Sequence, residues 1–326
     1  MDRADSVLNL FSVTLREMFV AADINFEKLM EIRLRSGQPL LLMYDGREYY
    51  LSQKGEMMLC THQESVTLTN PYLIRQKEIQ ETLSYVSKYS MYAFEEEIRQ
   101  GYITVYGGHR VGICGQAVME EGKVKTIRYV SFINIRIAHQ VRKCSDHIMK
   151  YLYREREAVY NTLILSPPMC GKTTLLRDII RNISNGISGR EGMNVGLADE
   201  RSEIAAAYRG IPQNDVGIRT DVLDAMPKTY GIMMLIRTMS PRVIAVDEIG
   251  SDADARAILY GVHCGCRFIG TIHGDSVEEI RNKEYMKLML EEGIFQRFII
   301  MRRNDKGERR VQIYNERWEN IKEAMV

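Results

Sequence analysis

Apolar and polar positions change their rhythm along this chain. It opens on an amphipathic stretch with Val7, Leu8, Leu10 and Phe11 on the apolar side. Two strand-like runs follow, EIRLRSG (31–37) and PLLLMYDG (39–46), closed by turn signals at Gly37 and Gly46. Helical spacing holds over 71–99 and ends in the charged run Glu95, Glu96, Glu97, Arg99. The short alternating runs GYITVYG (101–107), HRVGICGQAV (109–118) and SFINIRIA (131–138) then predict an antiparallel layer. Together these elements predict a smaller α+β domain over 1–140.

From Ser145 a helical pattern (Ile148, Leu152, Tyr153) carries a solvated charged stretch, Arg154 to Glu157. Beyond it, apolar runs alternate with helical segments: NTLIL (161–165), NVGLA (194–198), RVIAVDE (242–248) and CRFIGTI (266–272). Such alternation predicts an α/β domain over 141–326, a mostly parallel sheet covered by helices. FQRFIIMRR (295–303), NDKG (304–307) and RRVQIYN (309–315) read as a closing hairpin. The segment 209–224 reads as a long polar loop, and YGIMMLIRTM (230–239) as a Met-rich helix whose apolar face is core rather than a cofactor box.

Composition narrows the function classes. The 326 residues carry 44 Lys+Arg against 43 Asp+Glu, which argues against a protein that coats nucleic acid electrostatically. No run approaches the roughly 18–20 apolar residues of a membrane helix, and the acidic opening MDRADSVLNLFSV does not read as a signal peptide. Cys264 and Cys266 form a C-x-C without a second pair, so the six cysteines read as reduced thiols of a cytosolic protein, several of them in the core.

The strongest chemical signal is TLILSPPMCGKTTLLRDII (162–180), a strand, a loop and a helix in the order a phosphate loop demands. The loop residues Ser166, Pro167, Pro168, Met169, Cys170, Gly171, Lys172, Thr173 and Thr174 would wrap ATP, their backbone N–H groups and the helix N-terminus facing phosphate. Lys172 would reach the β- and γ-phosphates, and the Thr173 hydroxyl would hold Mg²⁺. Ser166 stands where G-x-x-x-x-G-K-[ST] wants its first glycine, a substitution that a negative φ permits.

RVIAVDEIG (242–250) ends a buried strand in Asp247, a second magnesium ligand beside Thr173, and Glu248, a base that orients or deprotonates the attacking water. Two more patches close strands: ADERSEI with Asp199, Glu200 and Arg201, and GTIHGD with Thr271 and His273. Glu200 is the alternative base, although Asp199 and Glu200 could equally cap their strand end. His273 could sense the γ-phosphate or simply pack in its loop.

SPPMCGKTT, ADERSEI, SPRVIAVDEIG and TIHGD, in this order and spacing, resemble the phosphate loop, Asp box, Walker B strand and His box of the secretion-ATPase branch of RecA-like motors. That branch drives type II and type IV secretion and pilus machines. Within it the chain looks most like a sporulation family of endospore-forming bacteria. The resemblance rests on EIRLRSGQPL, YAFEEEIRQGYITVYGGHRVGICGQAV, NIRIA, PPMCGKTTLLRDI, ADERSEIAAAYRGIPQNDVGIRTDVLDA and MLIRTMSPRVIAVDEIG. It implies a homo-hexamer with ATP between subunits and N-domain arginines reaching across to the phosphates. Arg110 and Arg136 are the candidates, ahead of Arg99. It further implies a cytoplasmic ring on the mother-cell side of the forespore envelope. That ring would dock on membrane proteins of a sporulation channel complex without inserting in the bilayer itself. The competing readings are a nucleic-acid-dependent motor on the same core and a nucleotide-binding scaffold with negligible turnover.

Overall fold

The computed structural model describes residues 3–60, 69–88, 97, 101–155, 158–168, 170–303 and 309–325. The charged run ending at Arg99 lies outside the described residues apart from Glu97, as do Met169 and the turn at 304–307. The chain divides into two compact units, Met1–His139 and Gln140–Val326.

In the first unit the opening amphipathic stretch forms two helices, Arg3–Leu8 and Val13–Ala21, broken at Ser12. They bury Val7, Phe11, Leu15 and Phe19, with Phe11 and Phe19 rings 4.9 Å apart. The described strands are β1 (Leu29–Arg35), β2 (Leu41–Tyr44), β3 (Arg47–Leu51), β4 (Met57–Leu59), β5 (Tyr102–Thr104), β6 (Arg110–Glu120) and β7 (Lys123–Arg136). They form an antiparallel sheet in the order β4-β3-β2-β1-β7-β6-β5. Period-two burial sets one face: Ile32 and Leu34, Val111 and Ile113, Ile133 and Ile135 are all buried. Over the described residues 69–88, the helical pattern read over 71–99 forms the helix Gln76–Val86, started by Glu78, whose carboxylate accepts the Arg75 N–H at 2.9 Å.

His109 locks this unit. It is 1% exposed. Ala138 N–H donates to Nδ1 at 3.0 Å, so Nε2 carries the ring proton and faces Ser6 Oγ at 2.8 Å. Desolvation, helped by the charge of Arg3, pulls its pKa from 6.5 down to about 4. Because the folded pKa lies below the unfolded one, the neutral ring stabilises the fold fully above pH 6.5. That contribution is lost as pH falls towards 4. The shift amounts to roughly 3 kcal/mol. Urea midpoints should therefore fall more steeply between pH 6.5 and 4 in the wild type than in His109→Gln. Parallel profiles would contradict this account.

The second unit opens with a single helical turn, Met149–Leu152, and the short pair β8 (Tyr153–Glu155) and β9 (Ala158–Val159). The helix read from Ser145 is thus only one turn long, because Tyr153 leaves it in extended conformation. The main sheet contains β10 (Thr162–Ser166), β11 (Val195–Asp199), β12 (Thr220–Asp224), β13 (Val243–Val246), β14 (Arg267–His273), β15 (Arg297–Arg303), β16 (Arg309–Asn315) and β17 (Asn320–Met325). Their order is β12-β11-β13-β14-β10-β15-β16-β17, parallel from β12 to β15 and antiparallel beyond.

The sheet is covered on both faces. Helix Lys172–Asn185 packs Leu175, Leu176 and Ile179 with Ile164 on one side. Helices Lys228–Met239 and Asp252–His263 pack Ile232, Leu235 and Ile258 with Leu163 and Leu165 on the other. Strands β10 and β13 are buried at every position, as a parallel sheet coated on both sides requires. In helix Lys228–Met239 the apolar face is core, as expected, with Ile232 and Leu235 buried, while Met234 and Met239 are turned out to solvent. Cys170 and Cys266 are buried and Cys264 is exposed; among the described residues no three His, Cys, Asp or Glu side chains group as metal ligands.

Candidate nucleotide site

Parallel register brings the sequence motifs to one edge. Ser166, the last residue of β10, pairs with His273, the last of β14. Val246 ends β13 beside Gly270, and Asp199 ends β11. The phosphate-loop, Walker B, Asp-box and His-box residues therefore emerge together at the carboxyl ends of β10, β13, β11 and β14, where open α/β sheets bind ligands.

The loop turns without a glycine at its start. Ser166 is buried in extended conformation, and its hydroxyl donates to the Pro167 carbonyl at 2.7 Å. The left-handed step falls instead on Gly171, φ 94°, which precedes the first turn of helix Lys172–Asn185. Pro167 is half-buried, Pro168 exposed and Cys170 buried; Thr174 is half-buried in the first helical turn. A side chain on Gly171 would also meet the Arg309 guanidinium, 3.4 Å from where its Cβ would sit. Arg309 starts β16 and pairs in register with Arg303. Nothing in the sequence pattern tied it to the loop.

Side chains converge around that turn. Thr173 Oγ1 donates to Asp247 Oδ2 at 2.9 Å, and Thr271 Oγ1 donates to Asp247 Oδ1 at 2.5 Å. Thr271 Oγ1 also accepts the Glu248 N–H at 2.8 Å. A fully buried threonine thus fixes both acidic residues, a role that sequence reading did not assign. Glu248 holds φ 57°, a left-handed conformation that costs a non-glycine residue of order 1–3 kcal/mol and is concentrated at functional sites. The Lys172 ammonium lies 2.9 Å from His273 Nε2 and 3.7 Å from Glu248 Oε2, while His273 Nε2 is 3.2 Å from Glu248 Oε1. Burial draws the Lys172 pKa below its ordinary value, against the opposing pull of Glu248 and Asp247. Arg201 approaches Glu248 from solvent at 3.7 Å, and Lys283 Nζ holds the His273 carbonyl at 2.6 Å.

The two open readings of the Asp box separate here. Asp199 is 1% exposed and accepts the N–H groups of Glu203, Ile204 and Ala205 at 2.8–3.0 Å. It is a strand-end cap. Desolvation pushes its pKa up to about 6, with those three N–H donors holding it down. Arg177, on the phosphate-loop helix, donates to the Ile204 and Glu203 carbonyls at 2.6 Å and ties the same loop to that helix. Glu200 points the other way and is held by Lys228 at 2.8 Å. It lines, with Asp247, Glu248, Arg201 and Lys228, a cavity of about 280 Å³. Arg110 and Arg136 belong to the first unit, where they are register partners on β6 and β7; Arg110 also stacks on the Tyr102 ring at 5.0 Å.

The model of the family described as sporulation stage III, protein AA matches residues 1–321. The chain belongs to that family. Stage III sporulation protein AA of Bacillus subtilis (strain 168) is 42% identical over 289 residues, covering 88% of this chain and 87% of the relative. Two solved structures share the fold at low identity. The ATPase DotB of Legionella pneumophila is 15% identical with a TM-score of 0.54, covering 94% of this chain and 81% of its own. The pilus retraction motor PilT with bound ADP is 14% identical with a TM-score of 0.55, covering 92% and 80%. The second unit of this family member thus has a RecA-like α/β fold. Among the described residues no helix is long and apolar enough to cross a membrane.

Proposed function

We propose that the chain is an ATP-hydrolysing motor of the secretion-ATPase type, acting as a cytoplasmic homo-hexamer. Its work would be to energise a sporulation-associated transenvelope channel or secretion-like complex on the mother-cell side of the forespore. The observation that carries this reading is the meeting of Lys172, Thr173, Asp247 and Glu248 beyond one sheet edge, beside a left-handed Gly171 at a helix N-terminus. That edge offers a polyanion backbone N–H groups, a helix dipole and an ammonium.

Magnesium fits the pair already joined by a hydrogen bond, the Thr173 hydroxyl and the Asp247 carboxylate, and would neutralise charge on the phosphates. Lys172 would leave His273 and Glu248 for the phosphate oxygens. Glu248, freed of that partner and anchored through its N–H on Thr271, would orient the attacking water and accept its proton. Glu200 serves less well as the base, because Lys228 already engages its carboxylate. His273 would face the γ-phosphate. Arg110 and Arg136, register partners on β6 and β7, would act in trans on a second subunit's triphosphate.

Steady-state phosphate release from Mg-ATP, with sedimentation in the presence of an ATP analogue, tests the reading. Turnover that vanishes in Lys172→Ala and assembly to six chains are expected. Wild type and variant sharing one background rate would leave a nucleotide-binding scaffold.

A further inference from the structure

A second cavity, of about 440 Å³, opens where helix Lys172–Asn185 ends. At 1.5 Å per residue that helix is about 20 Å long, so the cavity and the phosphate loop lie at its opposite ends. The walls come from the segment around Met149, from the turn leading to Arg190 and from β17.

Its charge is one-sided. Lys150, Arg190 and Lys322 line it. The acid in its wall, Asp146, is already engaged by Asn182 Nδ2 at 2.8 Å and by Arg181 at 3.7 Å. The helix C-terminus adds about half a negative charge, too little to balance three cations. His147, also in the wall, has its pKa held down by burial first and by the charge of Lys322 second, with Asp146 opposing, so it stays neutral at pH 7. The Arg190 guanidinium stacks on the Tyr153 ring at 4.3 Å. Two buried polar atoms here find no partner among the described residues: Arg190 Nη1 and the hydroxyl of Tyr153, a residue only 5% exposed. Leaving such a group unpaired costs about 1–3 kcal/mol.

We propose that this cavity binds a phosphate-bearing anion, with Lys150, Arg190 and Lys322 supplying its positive charge and Tyr153 a hydroxyl donor. A phosphate monoester carries about −1.5 to −2 at neutral pH, which matches three cations better than a carboxylate would. The phosphate belongs either to a soluble ester or to a phospholipid headgroup. Either source uses the same contacts.

The site is independent of the nucleotide reading, and its test is run on the full chain carrying Lys172→Ala. Calorimetric titration with inorganic pyrophosphate at low salt should show binding that weakens at least ~10-fold when Lys150→Ala and Lys322→Ala are added. Arg190→Ala should do the same. Melting temperatures check that each variant is folded, and the exposed Lys150 makes the lysine pair usable if Arg190→Ala is not. Flotation with vesicles containing phosphatidic acid, whose headgroup is a phosphate monoester, against phosphatidylcholine vesicles, separates the sources. Variant-sensitive flotation assigns a headgroup, and variant-sensitive pyrophosphate binding without flotation assigns a soluble ester. Binding indifferent to all three substitutions, or no binding of either probe, overturns the proposal.

Discussion

Lys172→Ala should weaken ATP binding by about 100-fold, measured by equilibrium titration with a fluorescent ATP analogue. An ammonium on phosphate oxygens makes charge-assisted hydrogen bonds of about 1.5–3 kcal/mol each. Two such bonds are not all net gain, because the ammonium already has His273 at 2.9 Å and Glu248 at 3.7 Å. Subtracting those contacts leaves about 3 kcal/mol, which is two decades of affinity. The variant should keep its fold, since Leu175, Leu176 and Ile179, not Lys172, seat the helix in the core. An unchanged affinity in a folded variant would place the triphosphate elsewhere and dismantle the proposed function.

Glu248→Gln separates binding from chemistry. The amide keeps the size and the left-handed backbone of the residue, and its N–H still reaches Thr271. What it loses is the basic oxygen that would take a proton from water. Positioned general bases contribute about 10²–10⁴-fold, so single-turnover hydrolysis should slow by that factor. Affinity for ATP should hold or rise, because a carboxylate near the γ-phosphate repels it. Undiminished hydrolysis would hand the role to Glu200, and Glu200→Gln would then be the variant to measure.

Much of the second unit was legible because fully buried strands and a phosphate loop speak through local pattern. NTLIL and RVIAVDE hold the apolar runs 163–165 and 243–246, which form the centre of β10 and the whole of β13. Strand β12 was hidden in a segment read as polar loop: TDVLD lies at the sheet edge, half-exposed, with no apolar alternation to announce it. β17 escaped for the same reason, its NIKEAM sequence being an edge strand added to the expected hairpin. In the first unit β3 and β4 were missed, both short and only partly buried. At the site, residue types at strand ends were readable but their partners were not. That Asp199 caps a loop while its neighbour Glu200 meets Lys228 depends on side-chain directions three-dimensional packing sets. Thr271 sat in a readable strand end without a role and Arg309 carries no motif, and each gains its place only through strand register.

The close trio of Lys172, His273 and Glu248 joins three strand ends through one ammonium. Lys172 opens the helix that follows β10, Glu248 follows β13, and His273 ends β14. A polyphosphate that draws the lysine to itself would therefore release both neighbours at once. Capture at the loop would then register two strands away, as altered amide exchange at the tips of β13 and β14.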